Sequence, residues 1–264
     1  MDTDTPLDTA YRAMEAAPED DAARLRFYER LADTELLLLL SREPEGETLD
    51  PEVFEVEGIS YLLVFDSDAR LAAFLGKPAP YAALPGRVIA GMLAGQGAGL
   101  GLNLDVAPSA YLIPPDAVAW LAETLGQGPA EASARPEELL APGNVPEALL
   151  TALDGKLGRA AGLARRAYLA AVRYDDGSHG HMLGITGARE GAEGPLARAV
   201  NEALVFSGIE AGALDVVFLD DADAFTARLA RVGLRFDLPE PEAEETRAEV
   251  QAPGSDPEKP PKLR

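Results

Sequence analysis

Tyr61-Leu62-Leu63-Val64-Phe65 is an unbroken apolar run that ends abruptly in Asp66-Ser67-Asp68. Five apolar residues bounded by polar ones predict a strand buried on both faces. Asp and Ser at its end supply an N-cap for the helix that follows. In that helix Leu71, Phe74 and Leu75 share one face. A buried strand followed by a capped helix gives the chain an α+β character.

The flanking segments extend this reading. Leu7, Ala10, Tyr11 and Met14 fall at helical spacing, closed by Pro18, and a second helix covers about Asp20 to Asp33. Leu36 to Leu40 is read as a buried strand, with a helix as its rival. Burial of each leucine contributes roughly 1.5–3 kcal/mol. Val53-Phe54-Glu55-Val56 gives a strand and Gly58 a turn. A short helix at Val88–Leu93 precedes strands at Leu100–Leu104 and Ala110–Ile113, and Pro114-Pro115-Asp116 opens another helix.

Composition then divides the chain. Residues 1–125 form a first α+β domain. Residues 126–144, rich in Gly, Pro, Ala and Glu, read as a linker. Residues 145–237 form a second domain. It has a helix at Leu149–Leu157, a hairpin from Tyr168 through Asp175-Asp176-Gly177-Ser178 to Thr186, and a helix at Leu196–Leu204. A strand at Leu214–Leu219 and a helix from Asp220 to Val232 complete it. That order predicts a small sheet with helices on one side. Residues 238–264 offer little to bury against an ordering cost of ~1–2 kcal/mol per residue, and read as a disordered acidic tail. The expected fold class is α+β: two small mixed-sheet domains with helices packed on the sheets.

Charge excludes several functions. With 23 Lys plus Arg against 45 Asp plus Glu, the net charge is -22. Such a surface repels nucleic-acid backbones and anionic membranes, so neither is an expected partner. Cysteine is absent, which removes disulfides, thiolate metal sites and cysteine nucleophiles. Met1-Asp2-Thr3-Asp4-Thr5-Pro6 has neither the basic start nor the apolar core of a signal peptide, and a cytoplasmic location is expected.

Few residues suggest chemistry. Gly95-Gln96-Gly97-Ala98-Gly99-Leu100-Gly101 looks like a phosphate cradle, but a strand follows it where a helix is required, so a turn entering the strand is preferred. His179 and His181, the chain's two histidines, point to one side of a strand and could share a metal with Asp175 or Asp176; the competing reading is an ordinary hairpin end. Asp220, Asp221 and Asp223 after a strand suit a divalent cation, yet capping also explains them. His179, His181, Asp220 and Asp221 are therefore the metal candidates. No Gly-x-Ser-x-Gly elbow exists, no residue is assigned a catalytic role, and no cofactor is expected.

Two stretches, Gly58-Ile59-Ser60-Tyr61-Leu62-Leu63-Val64-Phe65-Asp66-Ser67-Asp68-Ala69-Arg70-Leu71 and Gly99-Leu100-Gly101-Leu102-Asn103-Leu104, resemble the SseB family, named for enhanced serine sensitivity. Asn103 matches a family Asn, while Leu104-Asp105 replaces the usual Pro-Gly. Tyr168–Val172, His181–Ile185 and the Pro195–Phe206 helix are similar to the family's C-terminal domain. The resemblance spans about residues 7–236. It implies a bacterial cytoplasmic protein of regulatory or interaction type, binding a protein partner or small metabolite, with no catalytic residues to carry over. A metal-dependent enzyme built on the two histidines is the alternative. Sulfurtransferase chemistry lacks its thiolate here. An amino-acid ligand is suggested only by the family's phenotype name.

Overall fold

A computed structural model describes residues 4–44, 48–126, 135–143, 145–208 and 214–240. Most of the stretch read as an acidic tail, residues 241–264, lies outside the described residues. So do residues 127–134 and Asn144 of the stretch read as a linker.

The first half opens with helices α1 (Pro6–Ala16) and α2 (Asp21–Asp33). Thr5 caps α1 reciprocally with Asp8, and Asp20 caps α2 through the Ala22 N–H. Strand β1 (Glu35–Leu39) follows, then β2 (Val53–Val56), β3 (Ile59–Phe65), α3 (Asp68–Leu75) and β4 (Tyr81–Pro85). The half closes with α4 (Gly86–Leu93), β5 (Gly99–Leu102), β6 (Tyr111–Ile113) and α5 (Pro115–Gly126). The sheet order is β4-β1-β3-β5-β6, with β2 also paired to β3. β3 and β5 are parallel neighbours; the other pairs are antiparallel.

The apolar runs lie at the centre of this sheet, as their patterning demands. Leu36, Leu38, Leu62, Val64, Leu100 and Leu102 face one side, packed with Leu7 of α1, Phe27 and Leu31 of α2, Ile89 of α4 and Leu121 of α5. Leu37, Leu39, Leu63 and Phe65 face the other, where Leu71 of α3 meets them. Ser67 is the N-cap of α3 and accepts from the Arg70 N–H.

At the carboxyl ends of β3 and β5 a polar cluster is sealed under α1. Arg70 is 2 % exposed and Asp8 is fully buried. The Arg70 guanidinium donates to both oxygens of Asp8 and, at 2.8 and 2.9 Å, to both oxygens of Asp66. Ser109 Oγ donates to Asp8 at 2.6 Å, and Asn103 joins Ser109 to the Asp66 N–H. Burial alone would raise the Asp8 pKa. The bonds from Arg70, Ser109 and the Thr5 N–H override it and hold the carboxyl well below the usual range.

The second half contains β7 (Pro136–Leu140), α6 (Glu147–Arg159), β8 (Arg166–Tyr174) and β9 (His179–Thr186). It continues through α7 (Glu193–Phe206), β10 (Leu214–Leu219), α8 (Ala224–Val232) and β11 (Leu234–Asp237). The sheet order is β10-β9-β8-β11, with β7 beside β11 on the same edge of β8. The stretch 126–144 read as a linker thus contains a sheet strand. The hairpin turn forms as expected: the Gly177 N–H donates to the Tyr174 carbonyl and Gly177 takes φ +83°.

The expectation of helices on one side of this sheet is corrected. Leu169, Leu183 and Ile185 face α6 and α7, whereas Tyr168 and Ala170 face Leu229 of α8 on the opposite side. A Cβ on Gly184 would lie 2.3 Å from Leu229 Cδ2, so α8 presses directly on β9 there. The physical reason is the pair of crossovers. The β9-α7-β10 connection runs outward across the sheet, and β10-α8-β11 runs back over two strands to an edge parallel with β9. Right-handed crossovers made in opposite directions place their helices on opposite faces. Strand β11 was not foreseen, so the last helix had no return path in the sequence reading. Leu238, at the head of the expected tail, is buried, and its N–H donates to the Arg165 carbonyl.

Substituting Arg70 by Met leaves Asp8 and Asp66 buried without a counter-charge. It is expected to cost about 3–5 kcal/mol of unfolding free energy, read as a lower urea midpoint at neutral pH.

Candidate functional site

The two halves meet along helices. Phe206, at the end of α7, is 1 % exposed and belongs to the core cluster of the first half. Its ring lies 6.2 Å from Trp120 of α5, which stacks edge-on at 5.4 Å from Tyr28 of α2. Burial pushes the Tyr28 hydroxyl pKa up to about 12.

Around Phe206 a set of charges bridges the halves. Lys156 of α6, with its side chain 4 % exposed, places Nζ 3.0 Å from Asp33 and 2.8 Å from Glu202 of α7. Glu29 lies at 3.5 Å. Arg87 of α4 donates to Glu202 at 2.9 Å and also binds Asp33. Arg159 reaches Asp33 at 2.6 Å. Three cations thus meet three carboxylates, with Lys156 buried and the Arg87 and Arg159 side chains partly open to solvent. Desolvation opposes ionisation of Asp33 and Glu202, but their bonds to Lys156, Arg87 and Arg159 prevail and hold both below the usual range. Glu29 is different: burial dominates and raises its pKa despite Lys156.

Beside this cluster lies a cleft of about 560 Å³ built from both halves. One wall is α1, through Pro6, Thr9, Ala10 and Ala13; the other is α6, through Glu147, Ala148, Thr151, Ala152, Gly155 and Arg159. Arg26, Glu29, Arg30 and Asp33 of α2 form the floor, with Phe206 and Ser207 at one end. The small side chains on α1 and α6 keep the cleft open. Among the described residues Arg30 has no ion-pair partner, and the carboxylate nearest Arg26 is Asp20 at 3.7 Å. Sequence reading did not find these residues. The signals were Arg26, Glu29, Arg30 and Asp33 at i, i+3, i+4 and i+7, and a small-residue stripe on the α6 segment.

None of the metal candidates borders the cleft. His181 pairs with Leu214 at one end of β10, whereas Leu219, just before Asp220, pairs with Thr186. Five residues of strand, ~16 Å, separate His181 from Asp220 and Asp221. Asp220 accepts the Ala222 N–H, Asp221 binds Arg165, and Asp223 caps α8 through the Phe225 N–H. Asp175 accepts the Arg135 N–H, and Asp176 accepts the N–H and hydroxyl of Ser178. Among the described residues no three His, Asp or Glu side chains converge as a metal site. Of the glycine cluster, Gly99 and Gly101 lie in β5, while Gly95 and Gly97 take left-handed turns.

Residues 7–120 match the SseB protein N-terminal domain family. Over that stretch, which is less than half of the chain, the sequence is similar to the SseB N-terminal domain. No curated protein and no solved structure matches it. Within the matched stretch, Asn103 ends β5 at φ +46° and ties Ser109 to the Asp66 N–H. Asp105 stands at φ +58°, the left-handed region that the Gly of the family pattern adopts without strain.

The raised pKa of Glu29 fixes a sign. A carboxyl easier to protonate in the folded state loses stability as pH rises from its unfolded to its folded pKa. Glu29→Gln is expected to raise the melting temperature at pH 7 and leave it unchanged in acid, where the native carboxyl is already protonated. Differential scanning calorimetry at the two pH values checks this.

Proposed function

We propose that this chain is a non-catalytic regulatory module of the SseB type whose ligand, a small amino-acid-like zwitterion, binds in the cleft between its halves. The observation that carries the reading is the cleft itself, with Arg30 lacking an ionic partner among the described residues on the floor and Glu147 on the wall. A guanidinium suits the carboxylate of such a ligand, and an acidic side chain suits its ammonium group. The volume falls within the range of small-molecule sites. The family's phenotype name supports the choice of an amino acid. A ligand touching α1, α2 and α6 together would favour one setting of the two halves, and this is how binding becomes a signal. In this reading the second half is the SseB C-terminal domain and the protein is bacterial and cytoplasmic. No described helix is long and apolar enough to cross a membrane.

A thermal-shift panel of the standard amino acids, serine included, tests the reading. A ligand at a hundred times its Kd stabilises by about 2.7 kcal/mol, which is readily visible. Ala152→Trp, which fills the cleft, is expected to abolish the shift while preserving the fold. Flat traces for every member at millimolar ligand would overturn the ligand assignment. Turnover in a hydrolase or transferase panel, abolished by cleft substitutions, would overturn the non-catalytic one.

A further inference from the structure

Strand β10 is the outermost strand of the second sheet. β9 pairs along one side of it, and among the described residues no strand lies along the other. Neighbouring residues of a strand send their N–H and C=O groups to opposite sides, so every second residue of β10 offers an unpaired donor and acceptor at this edge. Pairing with β9 runs unbroken from Leu214 opposite His181 to Leu219 opposite Thr186, so no bulge bends the edge away.

The side chains leave the same edge apolar. Leu214, Val216 and Phe218 pack into the cluster under α6 and α7, and Val217 and Leu219 into the clusters under α8. Val216 to Leu219 stay half-buried, whereas Met182 to Thr186 of the adjoining β9 are buried. The one charged residue, Asp215, accepts from the Tyr174 hydroxyl of β8, so its carboxylate leans over the sheet and does not guard the edge. The other edges carry devices against further pairing. β6 has three residues, and β2 has four, with Glu55 among them. β4 ends on Pro85, β7 begins at Pro136 and slips register before Glu138, and β11 carries Arg235 and Asp237. β10 has none of these.

We infer that the free edge of β10 docks an extended segment of a partner protein, apolar in its paired residues and carrying Lys or Arg at its N-terminal end. Main-chain bonds form the ladder, and alternate apolar side chains continue both faces of β10. Charge sets the basic end. Antiparallel pairing brings the partner's N-terminus beside Asp220, Asp221 and Asp223, which follow β10 directly. Asp221 is held by Arg165. The Asp220 and Asp223 carboxylates accept the N–H groups of Ala222 and Phe225 and have no cation among the described residues. The net charge of -22 steers a basic segment inward. A second copy fits worse: two such chains repel, and the stretches flanking β10 in sequence, 209–213 and 220–223, hold Glu210, Asp220, Asp221 and Asp223 and no base. None of these residues borders the cleft, so the surface is independent of the ligand reading.

The test is fluorescence anisotropy of the full chain with a labelled synthetic peptide, Lys-Lys-Arg followed by Val-Ile-Val-Thr-Val, at low ionic strength. Saturable binding in the micromolar range is expected, with slowed amide exchange in Leu214–Leu219 and none in α1 or α6. A peptide with Glu at the three basic positions is expected to bind more weakly. Asn caps a helix as Asp does, so the double variant Asp220→Asn, Asp223→Asn keeps the fold. In it the affinity is expected to fall about three- to tenfold, as for two exposed charge pairs, with a shallower salt dependence. Val216→Pro and Val217→Pro remove adjacent N–H groups, of which one faces the edge; the variant that keeps the native melting curve is expected to lose the peptide. No saturable binding, protection outside β10, or full affinity in that proline variant would overturn the inference. Equal binding of the Glu-ended peptide would overturn the basic end. Dimerisation in analytical ultracentrifugation that the same proline variant abolishes would give the edge to a second copy and overturn the partner.

Discussion

Lys156 is the point on which the arrangement of the two halves depends. Its ammonium group is nearly sealed from water and is shared by Asp33 and Glu202, with Glu29 close by. Such a group adds little net stability over an apolar contact of the same shape, because desolvating the ions offsets most of their attraction. Its effect is on geometry. Apolar helices tolerate sliding past one another, whereas an ammonium with three donors among three carboxylates fits in one register only. The aromatic chain Tyr28, Trp120 and Phe206 supplies adhesion, and the charges select the angle. The cleft lies along that boundary, so its width is set by the same contacts.

The first half shows a related device. Arg70 binds two buried aspartates that belong to different elements, Asp8 of α1 and Asp66 at the end of β3. One guanidinium thereby fixes an N-terminal helix onto the carboxyl edge of the parallel pair β3 and β5. Asn103 and Ser109 satisfy the remaining polar atoms, which keeps the cluster from acting as an open reactive site. The buried polar groups of these two clusters are joined to one another, whereas Thr186 Oγ1 in the second sheet is buried without a hydrogen-bond partner. Arg30, without an ion-pair partner among the described residues, lines the cleft.

Much of the fold was legible in the chain, where apolar pattern and local capping agreed. The runs Leu36–Leu40 and Tyr61–Phe65 and the hairpin about Gly177 formed as strands and turn, because each is bounded by residues that permit nothing longer. Strand β4 was hidden by Pro78 and Pro80, which read as interruptions although they lie before the paired residues. Strand β7 carries two adjacent glutamates and β11 a charge at every second position, and both are short, so pairing with β8, not intrinsic preference, makes them strands. The cleft was not legible. It is assembled from α1 and α2, which are consecutive, and α6, more than a hundred residues further on, and no local pattern encodes that meeting. The histidine pair was visible in the chain, and the register of β9 against β10 sets His181 at the opposite end of β10 from Asp220 and Asp221.

Phe206 has one more consequence. An aromatic ring contributed by the second half completes the apolar interior of the first, so the first half does not close its core alone. A division of the chain at its compositional boundary would leave a socket without its plug. The stretch 7–120 that matches the family model therefore lacks a ring that its own core uses, and α7 supplies it from outside.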